Sequence, residues 1–103
     1  MKWLLNLDLS YNSIIDLPAG IFSEIENLNI LNLNNNNLKK LNVNIFGSNN
    51  LNELSYLNIN NNDLIVIQSN FFRAIKNMRY ADLSSNQLVN IYLLHTMLNT
   101  IRL

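Results

Sequence analysis

Self-similarity constrains this chain more than any other feature. Four asparagines, Asn12, Asn36, Asn62 and Asn86, stand 24, 26 and 24 residues apart, and one apolar skeleton recurs around each. The first unit runs Leu4, Leu7, Leu9, Asn12, Ile14, Leu17, Phe22, Ile25, and the second Leu28, Leu31, Leu33, Asn36, Leu38, Leu41, Phe46. The third reads Leu54, Leu57, Ile59, Asn62, Leu64, Ile67, Phe72, Ile75, and the fourth opens Met78, Ala81, Leu83, Asn86, Leu88, Ile91 before the pattern stops. A period of about 20 to 50 residues means that each unit is one supersecondary element, unable to bury its apolar side alone, which must stack on its neighbours. The chain is therefore expected to be a solenoid.

Within each unit the alternation around Leu7 and Leu9 has period two, so the leucines face one way and Asn6, Asp8 and Ser10 the other. One short strand per unit follows, and equivalent strands stack into a parallel sheet about 4.8 Å apart. The remaining apolar positions turn inward to fill the coil, and the late phenylalanines, Phe22, Phe46 and Phe72, are expected to stack into a spine that closes the opposite side. The repeated asparagines have a structural reading: a side-chain amide offers donors and an acceptor to backbone groups freed where the chain leaves the strand. Asparagines elsewhere, as in Asn34 to Asn37 and Asn60 to Asn62, are expected at exposed positions where almost any polar residue would serve.

Written as LxxLxLxxNxLxxL followed by xxxxFxxL, the unit resembles the leucine-rich repeat over residues 4 to 91. The Leu17-Pro18 step and the three phenylalanines resemble the roughly 24-residue subtype of extracellular proteins such as Toll-like receptor ectodomains. The resemblance implies an α/β solenoid with a short parallel β-sheet on its concave side and an irregular or short helical convex side. It also implies that Asn12, Asn36, Asn62 and Asn86 form an internal ladder. One domain spans 1–103, with repeats at about 4–27, 28–53, 54–77 and 78–91. The second repeat holds two extra residues near Ser48 to Asn50, read as a convex loop. In the tail, Leu94, Met97, Leu98 and Ile101 have helical spacing, which predicts a capping helix over 92–103. No cap precedes the first strand, so the segment reads as part of a longer array, with self-association through uncapped ends as the alternative.

Composition excludes more than it assigns. Asn, Leu and Ile supply 23, 20 and 12 of the 103 residues, while seven Lys plus Arg balance seven Asp plus Glu. With no net charge, neither nucleic acid nor an anionic membrane surface is attracted. The absence of cysteine removes disulfides and thiolate metal sites. The segment Asn58 to Asp63 superficially resembles a calcium loop but lacks the opening acid, the central glycine and the closing glutamate. His95 is a lone histidine with no placed acid or nucleophile. No catalytic residue, metal ligand or cofactor site is expected, and no run is apolar enough to enter a bilayer.

The expected function is non-catalytic binding of a protein partner on the concave sheet, within a receptor-like ectodomain. The alternative is a structural scaffold segment of an intracellular protein. The outward strand positions are the surface with a regular address: Asn6, Ile30, Tyr56 and Tyr80, then Asp8, Asn32, Asn58 and Asp82. Tyrosine combines a rigid apolar body with a polar tip and is enriched at interface hot spots. Tyr56 and Tyr80 are therefore the expected anchors, with Asn58 and Asp82 orienting a ligand and Ile30 and Asn32 beside them. An extracellular or cell-surface location follows from the subtype resemblance; the absence of a signal peptide, of cysteines and of N-x-S/T sequons favours the cytoplasmic alternative.

Overall fold

The three-residue alternation that begins each unit becomes a strand in every case. In the computed structural model, which describes residues 3–47, 51–68, 70–72, 75, 77–91 and 101–103, these are β1 (Asn6–Asp8), β2 (Ile30–Asn32), β4 (Tyr56–Asn58) and β6 (Tyr80–Asp82). They pair in parallel with Asn6 opposite Ile30, Ile30 opposite Tyr56 and Tyr56 opposite Tyr80. The middle residue of each strand points inward, and Leu31, Leu57 and Ala81 are buried completely or nearly so. This is the register that the period-two alternation dictates, because a slip of one residue would turn every leucine outward.

A fifth strand, β8 (Ile101–Arg102), pairs in parallel with β6, placing Ile101 opposite Ala81 and Arg102 opposite Asp82. Ile101 was expected at the end of a capping helix. It extends the sheet instead, a position that suits a β-branched residue packing on a pleated surface. Residues 92–100, which hold the rest of that expected helix and His95, lie outside the described residues, as do Ser48 to Asn50.

A second, narrower ladder that the repeat did not announce joins β3 (Lys40–Leu41), β5 (Val66–Ile67) and β7 (Asn90–Ile91), again in parallel. Leu41 and Ile67 are its inward residues, and Lys40 and Val66 face solvent. Helix among the described residues is limited to one 3-10 turn, Val43–Phe46. Gly47 ends that turn at φ 68, where its N–H donates to the Asn44 carbonyl (3.0 Å). A Cβ there would lie 2.8 Å from Cβ of Ser23 in the preceding coil. Both the left-handed backbone and the close approach therefore demand glycine.

The core runs through the coils as columns: Leu28, Leu54 and Met78; Leu31, Leu57 and Ala81; Leu33, Ile59 and Leu83. Fully burying one such aliphatic side chain stabilises by roughly 1.5–3 kcal/mol. Leu51 is completely buried and stands three residues before Leu54, as Ile25 stands before Leu28 and Ile75 before Met78. The two-residue insertion therefore falls between Phe46 and Leu51. The first coil is only half-buried at Leu4, Leu7, Leu9 and Ile14, and it leaves Trp3 87% and Tyr11 77% exposed.

The aromatic spine differs from expectation by one residue. Phe22 packs on Phe46 with centroids 6.3 Å apart, but the ring that continues from Phe46 is Phe71, at 5.8 Å, with Phe72 edge-on to it at 5.4 Å. The fixed offset from the repeated asparagine selects Phe72. Both adjacent rings are buried, and the packing seats Phe71 rather than Phe72 against Phe46 of the preceding coil.

Candidate functional site

The outer face of the five-stranded sheet presents the residues that the alternation expels from the core. Its first column is Asn6, Ile30, Tyr56 and Tyr80. The two tyrosines are half-buried and stack with centroids 4.9 Å apart and planes inclined by 16°. Their spacing follows from the sheet pitch, since side chains on directly opposed parallel strands are held about one strand separation apart. The pair forms a two-ring aromatic patch with Ile30 next in the column.

The second column is engaged locally. Oδ1 of Asp8, Asn32, Asn58 and Asp82 each accepts the backbone N–H two residues on, at 2.9, 3.3, 3.0 and 3.0 Å. This is the Asx-turn arrangement in which a short side chain supplies the acceptor for a turn. Ser10 and Ser84 add their hydroxyls to the same oxygen of Asp8 and Asp82. These bonds hold the Asp8 carboxyl below the ordinary aspartate value of 3.8, the Ser10 hydroxyl contributing most and its backbone N–H next. Asp82 is only 5% exposed. Asn32, Asn58 and Asp82 therefore shape the strand exits beside the tyrosines, with one oxygen each already committed. The third column pairs Ser10 and Ser84 with Asn34 and Asn60, and Oδ1 of those two asparagines is buried with no partner among the described residues.

Behind this face runs the asparagine ladder. Nδ2 of Asn62 donates to the carbonyls of Leu33 in the preceding coil (3.0 Å) and Ile59 in its own (3.1 Å), while Oδ1 accepts the Leu38 N–H (3.0 Å). Asn36 does the same with Leu9, Leu33 and Ile14, and Asn86 with Ile59, Leu83 and Leu64. Asn12 is exposed and donates within its own coil to Leu9 and Ser10.

The residue before each of these asparagines is left-handed: Tyr11, Asn35, Asn61 and Ser85 have φ of 56, 59, 57 and 57. Asn35 and Asn61 are thus not interchangeable polar residues, because asparagine tolerates this conformation far better than most side chains. Asn61 also donates from Nδ2 to Asn35 Oδ1 across the coils. Tyr11 makes no such use of the position, so Tyr11→Asn is expected to stabilise the fold by about 0.5–1 kcal/mol, read from denaturant midpoints at unchanged slope.

A trough that the sequence reading missed borders the tyrosine column. A cavity of about 480 Å³ is lined by Asn29, Asn52, Glu53, Ser55, Asn77 and Arg79, and a second of about 360 Å³ by Leu5, Asn6, Asn27, Asn29, Ile30 and Glu53. They share Asn29 and Glu53. One wall is the column immediately before the strands, Leu5, Asn29, Ser55 and Arg79, joined by backbone bonds from each N–H to the carbonyl one coil earlier (2.8 to 3.0 Å). Only the column address could have revealed it, and the strand alternation draws attention one residue later.

Among the described residues no group of three or more His, Cys, Asp or Glu could hold a metal ion, and no helix is long and apolar enough to cross a membrane. The face offers aromatic area, amides and turn-engaged carboxylates, which is recognition chemistry.

Parallel coils with an internal asparagine ladder and an outward strand face define the class as a ladder-braced β-solenoid. Residues 4–64 match the family model described as Leucine rich repeat. The chain belongs to the leucine-rich repeat family, whose repeats generally mediate protein–protein interaction and typically serve as non-catalytic binding modules. Among curated proteins none matches the chain significantly.

Proposed function

We propose that this chain binds a protein partner on the outer face of its five-stranded sheet and that Tyr56 and Tyr80 anchor the contact. The observation that carries this reading is the stacked tyrosine pair, 4.9 Å between centroids, standing in a column whose other described members are Asn6 and Ile30. Most of the neighbouring polar side chains are bonded to their own backbone, so they contribute shape and a polar rim, and binding energy concentrates on the rings. A receptor-like, extracellular setting joins the proposal on the strength of the repeat length and the aromatic spine through Phe22, Phe46 and Phe71.

The test is a comparison of proteins retained from the native source by the chain and by two variants. Proteins that depend on this face are kept by the wild type and by the flank variant Ile65→Ser, and lost by Tyr56→Ala/Tyr80→Ala. Retention that is indifferent to the tyrosines and lost with Ile65→Ser overturns the reading.

A further inference from the structure

The trough beside the tyrosine column carries an assignment that rests on the outer-face reading and adds a ligand chemistry to it. Along the stacking axis one wall changes from apolar to cationic: Leu5, then Asn29, Ser55 and Arg79. The other wall carries Asn27, Glu53 and Asn77. An amide on each wall is fixed before any ligand arrives, because Nδ2 of Asn29 donates to the Glu53 carbonyl (2.9 Å) and Nδ2 of Asn77 to the Asn52 carbonyl (2.8 Å). Side chains already ordered spare the entropy of ordering them on binding.

We propose that this trough takes an extended polypeptide segment lying across the strands, with an apolar side chain over Leu5 and Ile30 and a carboxylate at Arg79. The polarity follows from the walls. Arg79 can only donate and Glu53 only accept, while the amides do both; a peptide backbone, with an N–H and a C=O per residue, meets such a sequence of partners. The length follows from the pitch. Leu5 and Arg79 are three strand spacings apart, about 14 Å, and an extended chain rises about 3.3 Å per residue, so the apolar and acidic residues of the ligand stand about four positions apart.

The probe is a phage-displayed library of random heptapeptides selected on the immobilised 103-residue chain. The expected enrichment pairs an aliphatic or aromatic residue with Asp or Glu about four positions away. A synthetic peptide of the leading sequence should lose at least tenfold in affinity on Arg79→Glu and regain it when its acid is replaced by Lys. Arg79 is exposed, so circular dichroism should show the variant folded. Absence of enrichment, enrichment without the acid, or a charge exchange that restores nothing overturns the assignment. So does binding of soluble oligosaccharides, abolished by Arg79→Glu, in place of peptides. Binding that Tyr80→Ala abolishes and Arg79→Glu leaves intact ends the trough proposal while sparing the outer-face reading.

Discussion

Truncating Phe46 to Ala is expected to lower the unfolding free energy by about 3–5 kcal/mol, the range for deleting a buried aromatic ring and leaving its cavity. Phe46 is fully buried and bridges Phe22 at 6.3 Å and Phe71 at 5.8 Å, so its loss interrupts the contact that ties the first coil to the third on this side. Phe46→Leu keeps most of the volume and should cost less than half as much. Urea unfolding followed by circular dichroism measures both. A loss below about 1 kcal/mol for the Ala variant would mean that the coils do not depend on the spine.

Replacing Asn62 by Ala should cost about 3 kcal/mol, the upper end of the range for leaving buried backbone groups unsatisfied. The substitution strands the Leu38 N–H and the Leu33 and Ile59 carbonyls, and Asn62 is only 5% exposed. Asn12→Ala is the internal control. Asn12 is exposed and its amide donates within its own coil, so water can replace those bonds and the expected cost is below about 1 kcal/mol. Equal losses at the two positions would show that the ladder does not brace one coil against the next.

These two substitutions also mark what was legible in the sequence. The register of the broad sheet could be read directly, because LxxLxL leaves one phase that buries every leucine, and Tyr56 therefore had to stand beside Tyr80. The ladder was legible for a related reason: an invariant spacing of Asn just after a strand coincides with backbone groups that need partners. Phe71 was hidden because two adjacent phenylalanines are both apolar enough for the core and only three-dimensional packing chooses between them. The second sheet was hidden because two-residue strands such as Lys40–Leu41 and Val66–Ile67 have too short a period to register. Asn32, Asn58 and Asp82 looked like free ligand-facing groups, since a list of outward positions does not show which side chains bend back to cap their own turn. Asn35 and Asn61 looked arbitrary because φ is invisible until the turn is built. Ile101 was read as helical from its spacing, with Arg102 inside the same expected helix over 92–103, and the open edge of β6 took both as a strand.

Partner affinity is expected to reside in the tyrosine pair. Titration calorimetry with a purified protein that the wild-type chain retains measures this directly, using Tyr80→Ala against Asn34→Ala on the same face and Ile65→Ser on the flank. A hot-spot tyrosine predicts at least a tenfold rise in Kd, about 1.4 kcal/mol, for Tyr80→Ala and changes below about twofold for the other two. Unchanged affinity in Tyr80→Ala together with a tenfold loss in Ile65→Ser would contradict it and move the binding surface to the flank.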